Sequence, residues 1–215
     1  MLAATLGKPG APLTLLCLGA HADDIEIGCG GTVLRLLAER PGSTVHWHVF
    51  SSSAEREGEA RASAAELLAG AAHSVVEVHS FRESFFPFAG AAIKEQFERL
   101  KPAQPDLVLT HHVRDLHQDH RLIAELTWNT FRDHLIAEYE IPKYEGDLGQ
   151  PNLFVPLTAE LGRRKAAHLM RHFPSQARRP WFRPETFEGL MRLRGVECNA
   201  PEGFAEAFHA RKVVL

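Results

Sequence analysis

Cysteine is scarce in this chain of 215 residues: Cys17, Cys29 and Cys198 are odd in number and far apart, and no C-x-x-C pair occurs. That fits a reducing compartment better than a disulfide framework, so a cytoplasmic location is expected. An excess of one charge is lacking too. With 24 basic and 27 acidic residues the net charge is -3, which gives nucleic-acid or anionic-membrane binding no support from bulk electrostatics. No run reaches the roughly 20 apolar residues of a membrane span. Residues 11–20 are apolar and end in small side chains, as a signal peptide does, but Lys8 is the sole charge upstream. Cleavage near Ala20 would sever the strand that presents His21, so that reading is set aside. Internal repeats, low-complexity tracts and linkers are also missing. One domain over residues 1–215 is expected, with 45% hydrophobic and 24% charged residues sufficient for a single sizeable core.

Histidine is what the chain has in quantity, at 13 residues. His46, His48, His73, His79, His134, His168, His172 and His209 stand singly and read as surface or satisfied core residues. The others gather in two places. Residues 15–31 (LLCLGAHADDIEIGCGG) form an apolar run that breaks at Gly19, sets His21, Asp23 and Asp24 close together, and passes through Gly28, Gly30 and Gly31. Carboxylates beside a histidine at a strand end are costly unless paired or bound to a cation, and in open α/β sheets that edge is where ligands bind. The second place is the pair His111, His112 followed by residues 117–120 (HQDH).

Periodicity places both on one architecture. Strands are expected at 13–19, 44–50, 74–79, 106–110 and 153–157, and helices at 32–39, 55–69, 92–100, 119–138, 158–171 and 184–194. Thr158 is a suitable N-cap and Pro184 a suitable first helical residue. Residues 81–90 (FRESFFPFAG) read as an aromatic-rich connection that packs on the core, with part of a substrate wall as the alternative, and 139–150 as a polar loop. The fold expected is α/β and Rossmann-like, a mostly parallel sheet with helices on both faces. Both clusters then lie on the same carboxyl edge, where His21, Asp24 and His120 can meet around one divalent ion. Three such ligands with an open position is the layout of a catalytic zinc site, and Asp23, adjacent to Asp24 and pointing elsewhere, is free to face a bound water. His117 and His120 share a helix face, so one can bind metal while the other reaches over a substrate. The glycines fit neither G-x-G-x-x-G nor a P-loop. His111 and His112 read as neighbours that hydrogen-bond to the site, Asp115 as a loop residue, and the arginines at 163, 164, 178, 179, 192 and 194 as solvated surface.

These motifs resemble a known family. Residues 20–31 are similar to the A-H-P-D-D…G-G signature of the LmbE-like (PIG-L) zinc-dependent N-deacetylases, and 117–120 to their H-x-D-H motif. More loosely the likeness runs from Leu13 to Phe208, through an Arg-x-x-Glu helix (Arg56, Glu59) and a Glu-Ala-Phe near the end (Glu206, Ala207, Phe208). The resemblance implies that His21, Asp24 and His120 hold Zn2+, with Fe2+ an alternative ion, and that Asp23 is the general base. It further implies that His117 stabilises the oxyanion, that Asp119 tunes His117, and that Arg56 contacts the substrate. The implied substrate is a small N-acetylated amino sugar, the reaction hydrolysis of its acetamide, and a homo-oligomer is allowed. A likeness of 139–150 to some bacterial members would put Glu140 and Lys143 near the sugar. Two departures stand out: Ala22 occupies the usual proline position, and Ser51 to Ala54 lacks T-x-G-E-x-G. The alternatives are a hydrolase of another small-molecule amide and a non-catalytic carbohydrate-binding protein. Intact Asp23, Asp24 and motif histidines speak against the latter, since a binding module gains nothing from a poised base.

Overall fold

In the computed structural model, residues 5–213 are described; the ends of the expected domain, 1–4 and 214–215, lie outside them. The chain alternates strand and helix as far as β5 and then runs through two strands and two helices in succession: β1 Thr14–Gly19, α1 Asp24–Glu39, β2 Thr44–Val49, α2 Ala54–Leu67, β3 His73–Val78, α3 Gly90–Leu100, β4 Leu107–His111, α4 Gln118–Thr130, β5 Leu135–Tyr139, β6 Leu153–Leu157, α5 Ala159–His172, α6 Pro184–Glu197 and β7 Phe204–His209. One seven-stranded sheet runs in the order β3-β2-β1-β4-β5-β7-β6. The first five strands of that order are parallel, and β7 is antiparallel to both β5 and β6. The fold is thus the expected single α/β domain.

Central strands buried on both faces must be apolar throughout, which is why TLLCLG reads as a continuous run. Alternation divides that run between two cores. Leu15 and Cys17 pack with Trp47, Leu109 and the apolar sides of α1, α2 and α5; Leu16 and Leu18 pack with Val108, Ile93, Phe97 and Ile123 beneath α3 and α4. Each fully buried Leu or Phe contributes roughly 1.5–3 kcal/mol. Because β1 pairs with β2 on one side and β4 on the other, the crossover changes direction between β1 and β4. Their carboxyl ends frame the crevice in which such sheets take ligands.

Four expectations need correction. Helix α1 begins at Asp24 rather than at residue 32, so Gly28, Gly30 and Gly31 lie inside it and make no turn. Two of them are required by close approach: a Cβ on Gly28 would stand 2.2 Å from the Tyr139 ring, and one on Gly31 2.6 Å from Leu157. The helix expected to continue to residue 138 stops at Thr130, and 135–139 (LIAEY) forms β5 instead. A five-residue buried strand carries too little periodicity to separate from a helix running into it. Strand β7 was not anticipated, its alternation being masked by the buried Glu206. Arg194, read as surface, is buried in an ion pair with Glu140 (2.6 Å).

Candidate metal centre and active site

The first cluster leaves β1 and enters α1 within four residues. Asp23 is the N-cap of α1 by position, yet its side chain makes no capping hydrogen bond. Its Oδ1 accepts from Arg56 Nη2 at 2.5 Å. Asp24 folds back so that Oδ2 accepts the backbone N–H of His21 at 2.6 Å. The second cluster is set at the start of α4, where His117 is the N-cap and its Nδ1 accepts the N–H of Asp119 at 3.2 Å. Adjacent parallel strands thereby bring residues about a hundred positions apart into contact.

Three atoms converge. His21 Nδ1 is 3.1 Å from His120 Nε2 and 3.3 Å from Asp24 Oδ2, and His120 Nε2 is 3.5 Å from that same oxygen. Bonds of about 2.0–2.1 Å to a tetrahedral ion set neighbouring donors roughly 3.3–3.4 Å apart, so the separations match a zinc-type ion. The hydrogen-bond pattern fits as well. His21 gives its Nε2 to Asp119 Oδ2 at 3.2 Å, and His120 its Nδ1 to Asp115 Oδ2 at 2.9 Å. Each carboxylate binds the outer nitrogen of one ring, so the two inner nitrogens and a carboxylate oxygen face one another, an arrangement that a cation satisfies, whether a proton on His21 or a metal ion in its place.

Electrostatics follow from burial and crowding. Burial works against charge on His21, but Asp24 and Asp119 outweigh it and raise its pKa to about 10. His120, desolvated and beside His111, falls to about 3. Asp24 is opposed by burial, yet His120, His111 and His21 hold it well below the usual carboxylate range. Asp23 moves the other way: burial raises its pKa, and Arg56 offsets only part of the rise. Burial, then the charge on His21, lowers His117, which stays neutral with its proton on Nε2 because Nδ1 is occupied. A ring nitrogen of His117 lies within 4.8 Å of those of His21 and His120.

Asp119, expected to tune His117, places its carboxylate on His21; that carboxylate is in turn held by the N–H groups of Ser84 (2.6 Å) and Phe86 (3.2 Å). The 81–90 connection is therefore part of the site's support. Arg56, expected at the substrate, is paired with Asp23. Ser53 caps α2 by accepting Arg56 N–H at 3.3 Å, so the segment that departs from the family pattern still delivers this arginine. Asp115, which reads as a loop residue in the sequence, supports a histidine of the site. Its spacing of five from His120 was visible, but only the loop's path shows that it holds that histidine, with Lys143 3.0 Å behind it. Lys143 and Glu140, expected near a sugar, are committed to Asp147 and Arg194. His111 stacks on His120 with centroids 3.9 Å apart and accepts Ala20 N–H at 2.9 Å, while His112 turns away to Glu138.

The model of the family described as "GlcNAc-PI de-N-acetylase" (PIG-L) matches residues 16–131. A comparison with curated proteins returns no match. Among solved structures, the conserved protein TT1542 from Thermus thermophilus is similar at 20% identity and TM-score 0.72, over 94% of this chain and 96% of that one. The N,N'-diacetylchitobiose deacetylase of Pyrococcus horikoshii is similar at 19% identity and TM-score 0.69, over 95% and 84%. GalB, the 4-carboxy-2-hydroxymuconate hydratase of Pseudomonas putida KT2440, is similar at 18% identity and TM-score 0.72, over 94% and 98%. At these identities the likeness is one of fold.

Proposed function

The chain belongs to the GlcNAc-PI de-N-acetylase (PIG-L) family, and from that premise we propose that it is a metal-dependent hydrolase removing the N-acetyl group from an N-acetylglucosamine-type conjugate. The observation that carries the reading is the convergence of His21 Nδ1, Asp24 Oδ2 and His120 Nε2 at 3.1–3.5 Å, with the outer ring nitrogens held by Asp119 and Asp115. When bound there, a zinc-type ion supplies a Lewis acid that acidifies water and polarises the amide carbonyl. Asp23, its pKa raised by burial, accepts the proton of the attacking water and returns it to the nitrogen as the C–N bond breaks. His117, neutral with Nε2–H free, donates to the carbonyl oxygen as negative charge grows on it. Acetate and a free amine result. Asp119 and Asp115 hold the two ligand imidazoles in the required tautomer, and Arg56 positions Asp23.

The Pyrococcus deacetylase of the same fold supports an amide substrate on a sugar. The Pseudomonas hydratase favours a second reading, addition of water to a small unsaturated acid at the same centre. A panel of N-acyl amino sugars, assayed for acetate and primary amine with and without chelator, separates them. Chelator-sensitive acetate release is expected. Asp23→Asn is expected to retain metal and lose turnover by about 10²–10⁴-fold; near-normal turnover would remove Asp23 from the role of base.

A further inference from the structure

A second group of possible ligands stands on the outer strands, on the sheet face shared with α3. His48 lies in β2; Glu77 is in β3 and His79 follows that strand directly. The carboxylate Oε2 of Glu77 is 3.6 Å from His48 Nδ1 and 3.7 Å from His79 Nε2, and the three donor atoms lie within 4.8 Å of one another. His48 is 1% exposed, and neither of its ring nitrogens has a hydrogen-bond partner. A buried imidazole with nothing to bond to is costly. Here Nδ1 faces a carboxylate that no lysine or arginine of the described residues neutralises. The Glu77 side chain is 52% exposed and that of His79 19%, so one side is open to solvent and to exchange. Burial lowers the pKa of His48 to about 3 and also lowers that of His79, leaving both as neutral lone-pair donors near pH 7.

We propose that His48, Glu77 and His79 form a divalent-cation site of zinc type, separate from the catalytic centre, that anchors the root of the 81–90 connection. Two imidazoles and one carboxylate are an ordinary donor set for such an ion, and movements of a few tenths of an ångström bring the 3.6–3.7 Å separations to ligand spacing. The anchoring follows from the chain path. His79 N–H donates to Val49 O at 2.8 Å, its ring stacks on Phe50 with centroids 5.4 Å apart, and Phe81 N–H donates to Phe50 O at 3.1 Å. Three residues later Ser84 N–H reaches Asp119. An ion on His79 fixes the segment whose amides hold the carboxylate behind His21. The other histidine group outside the crevice, Glu66 with His168 and His172, is already satisfied, since His168 Nε2 bonds to Ser63 Oγ and His172 Nε2 to Glu66 Oε2, both at 2.8 Å. Arg171 already donates to both Glu66 oxygens at 2.9 Å and supplies the positive charge.

The test is Co2+ titration of the full chain, followed by absorbance and by metal content after gel filtration. Wild type is expected to hold two ions. His120→Ala, which removes a catalytic ligand, is expected to keep one, and adding Co2+ is expected to raise the Tm of this variant. Glu77→Gln, at a half-exposed side chain that leaves folding intact, is expected to weaken the second ion at least tenfold and to abolish the Tm rise in the His120→Ala background. His172→Ala is expected to leave both ions in place. Absence of any ion from His120→Ala, persistence of the second ion in Glu77→Gln, or its loss in His172→Ala would overturn the assignment.

Discussion

Buried carboxylates serve opposite ends in the two halves of this sheet. In the antiparallel part each is matched to one cation and sealed. Glu206 accepts from Lys165 at 2.5 Å, Glu140 from Arg194 at 2.6 Å, and the same groups take up backbone: Lys165 donates to Ile27 O, and Glu206 accepts Gly31 and Thr32 N–H. In the crevice between β1 and β4, Asp24, Asp115 and Asp119 instead surround two histidines, His21 and His120, whose inward nitrogens point at one another. The first arrangement cancels charge pair by pair; the second gathers donor atoms at one point. Burial therefore says little about purpose until the partners are known.

Breaking a sealed pair gives the largest expected effect on stability. Lys165→Met leaves Glu206 buried and unpaired and is expected to cost about 3–5 kcal/mol in chemical denaturation. The double variant with Glu206→Gln is expected to lose less, because no bare charge remains. In the crevice, Asp119→Asn is expected to lower metal affinity and turnover by about 10–100-fold. An effect on folding larger than that of Lys165→Met would erase the distinction between the halves. Gly28→Ala touches both, since its Cβ would meet the Tyr139 ring at 2.2 Å and that hydroxyl donates to Leu18 O at 2.6 Å. A loss of about 1–3 kcal/mol is expected from overpacking, with a fall in turnover.

The smallest effect is one of pH. Burial first, then the neighbouring His112, lowers the pKa of His209 to about 4. Between that value and the ordinary 6.5 the unfolded chain binds more protons, so the stability this group leaves intact above pH 6.5 is lost as pH falls toward 4. Phenylalanine keeps the ring that stacks on His112, with centroids 3.9 Å apart, and takes no proton. His209→Phe is expected to match wild type in denaturant midpoint at about pH 7 and to exceed it at about pH 4.5.

Strand β6 (Leu153–Leu157) and the Thr158 cap, which accepts Leu161 N–H at 3.1 Å, were legible in the sequence because local pattern and local hydrogen bonding decide them. The meeting of His21, Asp24 and His120 was legible for a different reason: two strand ends in a parallel sheet share an edge. What supports those residues was not. That Asp119 serves His21 depends on a three-dimensional path through the 81–90 connection, and Asp115 is indistinguishable from a turn residue until His120 is seen above it. Strand β5 was hidden by Glu138, a charge in a buried strand that His112, Val113 N–H and Arg211 satisfy from outside it.

The hydrogen bonds of Glu206 to the middle of α1 span 175 and 174 residues. A nascent chain that has emerged from the ribosome as far as residue 200 already contains every group assigned to chemistry, yet the helix that starts with Asp24 still lacks the clamp on its third turn. The frame of the candidate centre is thus completed by a strand synthesised after all of the centre's own residues.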